Sequence, residues 1–161
     1  MRVVIFGCGR MGKPIAWAME KLGCDLILID GSSKSLQECN SILEQDAELR
    51  TIRNPESLDL PNSLERPYPD VVVSSLPYHK NLTLAKHCIK NGIRYCDLGG
   101  NVEISNKIND FASKFASKPV MTDIGLAPGL ANILAEAFYK QIANQEDKNP
   151  ETVSIMVGGI P

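Results

Sequence analysis

No stretch of the 161 residues approaches the roughly 18 to 20 consecutive apolar residues that a membrane span requires. No signal-peptide layout precedes the first apolar run either, because the chain enters a strand pattern at Arg2, and a cytoplasmic location is expected. Basic charge is scarce: 17 Lys and Arg stand against 19 Asp and Glu, giving a net charge of -2 and a pI near 5.7. With no positive stripe to neutralise a phosphate backbone, nucleic acid is excluded as a partner, while a small anionic metabolite stays compatible. Metal and disulfide chemistry also lack their parts. The five cysteines (Cys8, Cys24, Cys39, Cys88 and Cys96) are odd in number, contain no C-x-x-C pair and have only His79 and His87 to help them. They read as free, mostly buried thiols, and no metal is expected.

What is present suits one globular domain with a substantial core, at 43% hydrophobic and 22% charged residues. Arg2 to Phe6 is a short apolar run that leads into a glycine loop. Met11, Ile15, Ala18, Met19 and Leu22 then recur at helical spacing, Gly23 ends that helix, and "CDLILID" is a second buried strand closing at Asp30. This is a βαβ unit. The rhythm returns with the strand "DVVVSS", a helix over Asn81 to Lys90, the strand "IRYCDL", a helix within Asn101 to Lys118 and the strand "PVMTDI". A further helix carries Leu130, Ile133, Leu134, Ala137, Phe138 and Ile142. The expected fold is α/β, a doubly wound, mostly parallel sheet of Rossmann type. Its domain covers residues 1–143, a linker 144–151, and 152–161 is expected as a strand that begins a second domain. The polar, proline-rich middle from Gly31 to Pro69 offers one helix after Ser33 and a short strand near Leu49 to Ile52, and no chemistry is placed there.

The strongest motif is "GCGRMG", with Gly7, Gly9 and Gly12 in G-x-G-x-x-G register between a strand and a helix. Gly7 permits the tight turn, Gly9 lets a pyrophosphate approach the backbone, and Gly12 allows close packing of helix on strand. Arg10 and Met11 lie in the same loop, at a helix N-terminus whose orphan N–H groups favour an anion. Asp30, at the end of the second strand, can accept from both ribose hydroxyls and would repel a 2′-phosphate, which favours NAD over NADP. Ser32, Ser33 and Lys34 could instead cradle such a phosphate if Asp30 turned away, or could merely cap and solvate a helix. A nucleotide triphosphatase loop is disfavoured because Pro14 stands where Ser or Thr must hold magnesium.

Ligands of open α/β sheets bind at the carboxyl edge of the strands. Ser75, Leu76 and Pro77 end one strand there, and His79 follows, readable either as a general acid or base or as a plain loop histidine. Asp97 ends the next strand, followed by Gly99, Gly100 and Asn101, with Asp123 after "PVMT". Asp97 is the candidate for proton transfer or for holding an amine, and both aspartates are also readable as turn caps. Gly125, Pro128 and Gly129 form a sharp connection before a helix, as a ligand wall or as a generic loop.

Taken together, "FGCGRMG", "SSLPYHKNLTLAKHCIKNGIRYCDLGGN", "TDIGLAPGLANILA" and "VSIMVGGIP" resemble the saccharopine dehydrogenase-like family, especially its lysine 6-dehydrogenase-type members. The resemblance omits the stretch from Gly31 to Pro69. It implies hydride transfer between NAD(P) and a carbon–nitrogen bond of an amino acid, a cofactor held by Gly7, Gly9, Gly12 and Asp30, and Leu76 and Pro77 beside the nicotinamide half. It also implies that Asp97 to Asn101 face the substrate, and that a further substrate and dimerisation domain makes the protein a homo-oligomer, a dimer. His79 departs from the aromatic residue usual at that position, and the chain is shorter than such proteins normally are. A cofactor-binding sensor without catalysis is therefore the alternative. A short-chain dehydrogenase would need Tyr-x-x-x-Lys, which none of Tyr68, Tyr78, Tyr95 and Tyr139 begins, and a methyltransferase would bind S-adenosylmethionine in place of a pyrophosphate.

Overall fold

Strand β1 (Arg2–Phe6) has two apolar faces, Val3 and Ile5 on one and Val4 and Phe6 on the other, all buried. A strand buried on both faces needs a cover on each side. In the computed structural model, which describes residues 1–52, 64, 67–146 and 149–156, helices supply both covers. Helices α1 (Gly12–Lys21) and α2 (Ser33–Asn40) bring Ala16, Leu36 and Cys39 onto Val3, Ile5, Leu26 and Leu28. On the other face, α3 (Tyr78–Lys90) and α4 (Val102–Phe115) bring Leu84, Cys88 and Ile108 onto Val4, Phe6, Ile27 and Val72. The remaining strands are β2 (Asp25–Asp30), β3 (Glu48–Thr51), β4 (Val71–Ser74), β5 (Arg94–Asp97) and β6 (Val120–Met121).

The six strands are all parallel, in the order β3-β2-β1-β4-β5-β6. This is the expected doubly wound Rossmann arrangement, and the order reverses between β1 and β4, where such sheets open a crevice. Register places the strand ends level: Phe6 lies opposite Ile29 and Ser74, and Ser74 opposite Asp97. Residues just beyond these positions share one rim.

Three expectations need correction on the far side of β5. The strand read over "PVMTDI" is only two residues long, because Asp123 takes a φ of 60° and turns the chain out of the sheet. Helix α5 (Leu130–Glu146) forms where the spacing placed it and runs on into the expected linker. Its apolar residues do not settle on the sheet, however, and Ile133, Phe138 and Ile142 stay 67%, 59% and 44% exposed. Residues 152–156, expected to begin a strand, pair with none among the described residues; Val153 and Ile155 instead share an apolar groove with Phe138 and Ile142 of α5. The rest of that expected strand, residues 157–161, lies outside the described residues.

Candidate functional site

The glycine loop sits where three strand ends meet. The Gly7 N–H donates to the Ile29 carbonyl at 2.8 Å, and the Ser75 hydroxyl donates to the Gly7 carbonyl at 2.6 Å. Gly7 has a φ of +90°, and a Cβ there would stand 2.9 Å from the Ser75 carbonyl oxygen, so only glycine passes between β2 and β4. Gly12 is tighter still, since its Cβ would lie 1.9 Å from the Gly7 carbonyl oxygen. Gly9 is the opposite case, with nothing within 4 Å of a Cβ. The crest of the loop therefore faces open space at the start of α1, where Arg10 and Met11 precede the helix, the Lys13 N–H donates to the Gly9 carbonyl at 3.2 Å, and Pro14 has no N–H to leave unpaired.

Asp30 shares that space. Its Oδ2 accepts the Cys8 N–H at 2.7 Å and its Oδ1 accepts the Ser32 N–H at 2.8 Å, which ties the glycine loop to the turn after β2. A carboxylate has about four lone-pair sites, so ribose hydroxyls can still be accepted. Ser32 caps α2 by accepting the Ser35 N–H at 3.2 Å, and the Lys34 ammonium lies 3.9 Å from Glu38. Ser32 therefore stands on the Asp30 side and lines the same cleft, while the Lys34 side chain is 86% exposed.

An open cleft of about 420 Å³ joins Gly7, Gly9, Asp30, Ser75, Leu76 and Pro77, all of them expected site residues. Ile52 and Lys80 line it too; Lys80 closes the segment after β4 that the sequence places at this edge, while Ile52 was not anticipated. Ile52 lies in the polar middle where no chemistry was placed; its N–H donates to the Asp30 carbonyl at 2.9 Å, so the signal was its position one residue past β3. The cradle that Gly9 leaves open, with a carboxylate beside it, fits a dinucleotide's pyrophosphate and ribose.

The second group of expected residues forms a separate cluster. Gly99 packs on Asp123, where a Cβ would stand 3.0 Å from its Cα, and a Cβ on Gly125 would stand 2.6 Å from the Leu98 carbonyl oxygen. Gly129 closes back on Gly125, the Leu130 N–H donates to the Gly125 carbonyl, and exposed Pro128 occupies the bend between them. Asn101 caps α4 by accepting the Ile104 N–H at 3.0 Å. Asp97 stands beneath these loops and is 1% exposed. It accepts the Tyr95 hydroxyl at 3.0 Å, the Gly99 N–H at 2.8 Å and the Asp123 N–H at 3.3 Å. Burial raises its carboxyl above the ordinary range, and burial with the adjacent carboxylate pushes the Tyr95 phenol up as well. Proton exchange with a substrate needs an open face, which a carboxylate so enclosed lacks. In this geometry Asp97 braces the glycine loops. Asp123 likewise accepts the Ser105 hydroxyl at 2.9 Å and serves the turn.

His79 is exposed in the first turn of α3, edge-on to Tyr78 with ring centroids 5.9 Å apart. His87, further along that helix, has its Nε2 buried without a hydrogen-bond partner and is shifted toward the neutral form, chiefly by burial. Cys8, Cys39 and Cys88 are buried thiols, Cys24 and Cys96 half-buried ones.

Residues 3–122 match the model of the saccharopine dehydrogenase NADP binding domain. Among solved structures, the chain is similar to saccharopine dehydrogenase (L-Glu forming) from Saccharomyces cerevisiae, with a TM-score of 0.67, 19% identity, and coverage of 89% of this chain and 31% of that one. It is similar to a myo-inositol dehydrogenase from Corynebacterium glutamicum at a TM-score of 0.60 and 22% identity, covering 92% of this chain and 42% of that one. The WlbA dehydrogenase from Bordetella pertussis, solved with NADH and UDP-GlcNAcA, gives 0.62 and 16% identity over 88% and 42%. The chain thus spans well under half the length of these structures, and at such identities they share its fold. With the fingerprint, the open cradle and the family match in agreement, NAD(P) is the cofactor class, and the chain belongs to the saccharopine dehydrogenase NADP-binding domain family.

Proposed function

We propose that this chain is the NAD(P)-binding part of an oxidoreductase that transfers a hydride between a nicotinamide cofactor and a carbon–nitrogen bond of an amino acid, as in saccharopine or lysine dehydrogenases. The observation that carries the cofactor half of this reading is the open crest at Gly9 beside the Asp30 carboxylate. The bound nicotinamide supplies the hydride chemistry. The chain's own residues bind and orient: Gly7, Gly9 and Gly12 let the backbone close on a pyrophosphate, and Asp30 takes the ribose. Ser75, Leu76 and Pro77 wall the cleft where the strand order reverses. The carbon–nitrogen half draws its support from the family match and from "DLGGN" and "GLAPGLAN", whose glycines are packed into one loop cluster over Asp97. Asp30 favours NAD, since burying a 2′-phosphate beside a carboxylate is unfavourable.

The burial of Asp97 favours a second reading, a cofactor-binding module with no reaction of its own. The expected homo-oligomer stays part of the proposal, with a second copy of this chain as the partner; its support is the apolar face that α5 leaves exposed. Titration of intrinsic or cofactor fluorescence with NADH and NADPH, beside an NAD-reduction assay with lysine, saccharopine and related amines, tests the reading. Binding of NADH at least about tenfold tighter than NADPH is expected. Absence of binding by either cofactor sinks the proposal, and turnover by the chain alone removes the second reading.

A further inference from the structure

Tyr78 opens α3 directly after Leu76 and Pro77 and stays 45% exposed, although its ring is held on two sides. Below it lies Gly100, where a Cβ would stand 3.4 Å from the Tyr78 Cβ and 3.6 Å from its Cδ1. Gly100 has a φ of +117°, so any side chain there is both strained and crowded against the ring. Beside it lies the imidazole of His79, edge-on at 5.9 Å. The phenol hydroxyl has no hydrogen-bond partner among the described residues, unlike that of Tyr95, which donates to Asp97. The ring thus stays accessible beside the ends of β4 and β5, which lie side by side in the sheet.

Its place in the sheet says what that is. The cleft through Gly7, Gly9 and Asp30 accounts for the adenosine and pyrophosphate portion of a dinucleotide. A dinucleotide extending beyond its pyrophosphate crosses the point where strand order reverses and reaches the ends of β4 and β5. Tyr78 follows β4, and Gly100 follows β5. We propose that Tyr78, seated on Gly100, is the aromatic wall that positions the nicotinamide half of the cofactor, an inference that rests on the cofactor reading above. Gly99 and Gly100 then have distinct roles: Gly99 lets the chain turn against Asp123, and Gly100 leaves room for the ring.

Calorimetry with NADH and with ADP-ribose, which lacks the nicotinamide, separates this from a general role. Tyr78→Ala should weaken NADH binding about fivefold, the size of one aromatic stacking contact, and leave ADP-ribose affinity unchanged. Tyr78→Phe should keep wild-type affinity for both ligands, since the ring and not the hydroxyl acts. Circular dichroism confirms that each variant is folded, which the exposure of the ring favours. Equal weakening of both ligands by Tyr78→Ala, or of neither, overturns the assignment while leaving the cofactor reading intact. Failure of the wild-type chain to bind either ligand overturns both.

Discussion

Gly9 and Gly12 stand three residues apart in one loop, yet their substitution should fail in opposite ways. A Cβ on Gly12 would lie 1.9 Å from the Gly7 carbonyl oxygen and 3.1 Å from the Ser75 hydroxyl. Ordinary contact begins at 3.4 Å, so either the first turn of α1 or the backbone of Gly7 must move by about 1.5 Å. Gly7 is itself held by the Ile29 carbonyl and the Ser75 hydroxyl, which leaves no soft neighbour to yield. Overpacking of this kind costs about 1–3 kcal/mol, and at this chain length each kcal/mol lowers Tm by about 2–4 °C, so Gly12→Ala should melt about 2–12 °C below wild type. Gly9→Val meets nothing within 4 Å and requires no left-handed backbone, so its Tm should match wild type within error. Its branched side chain would occupy the pyrophosphate's place, and NADH affinity should fall on the order of 100-fold, about 2.8 kcal/mol. Differential scanning fluorimetry and NADH fluorescence titration read the two effects separately. A Gly9→Val protein that is folded and binds NADH normally, or a Gly12→Ala protein with an unchanged Tm, would refute the reasoning.

Burial raises the Asp97 carboxyl, so the folded chain retains a proton that the unfolded chain has already released, and stability declines as pH rises from the ordinary carboxylate range through the raised value. Asp97→Asn should flatten that decline in urea midpoints measured across pH; parallel curves for the two proteins would contradict it. On α5, Ile133→Glu with Phe138→Glu should abolish self-association seen by light scattering, because charges on the exposed apolar face oppose its burial in a second copy. A wild-type chain that stays monomeric at high concentration would dismiss this use of the face.

The sheet was legible because β1, β2 and β4 are short apolar runs, β1 closed by Gly7 and β2 by Asp30, and the glycine spacing falls between a strand and a helix. Asp30, Ser75, Leu76 and Pro77 were legible for the same reason, since each follows or ends a buried strand. What escaped was set by tertiary packing. The spacing of Ile133, Phe138 and Ile142 gives a helix but does not say whether the sheet will cover it. Asp97 reads as a reactive carboxylate at a strand end, and only the convergence of Tyr95, Gly99 and Asp123 around it turns it into a brace. Ile52 carries no motif, and its place follows from β3 lying beside β2; Tyr78 falls in the quoted stretch after β4, but its seat over Gly100 shows only in the packing.

The two hydrogen bonds at Asp30 have a consequence for anyone wishing to redesign cofactor preference. Replacing this acidic residue by a neutral or basic one, to admit a 2′-phosphate, would here also release the Cys8 and Ser32 N–H groups. The loop that grips the pyrophosphate would lose its anchor in the same step, so a gain in tolerance for the phosphate would arrive with a weaker hold on every dinucleotide. A successful switch needs a replacement acceptor for the Cys8 N–H, such as a side-chain amide at position 30, before any positive charge is added on the α2 side. On the proposed cofactor reading, selectivity and loop order become one property, carried by a single carboxylate.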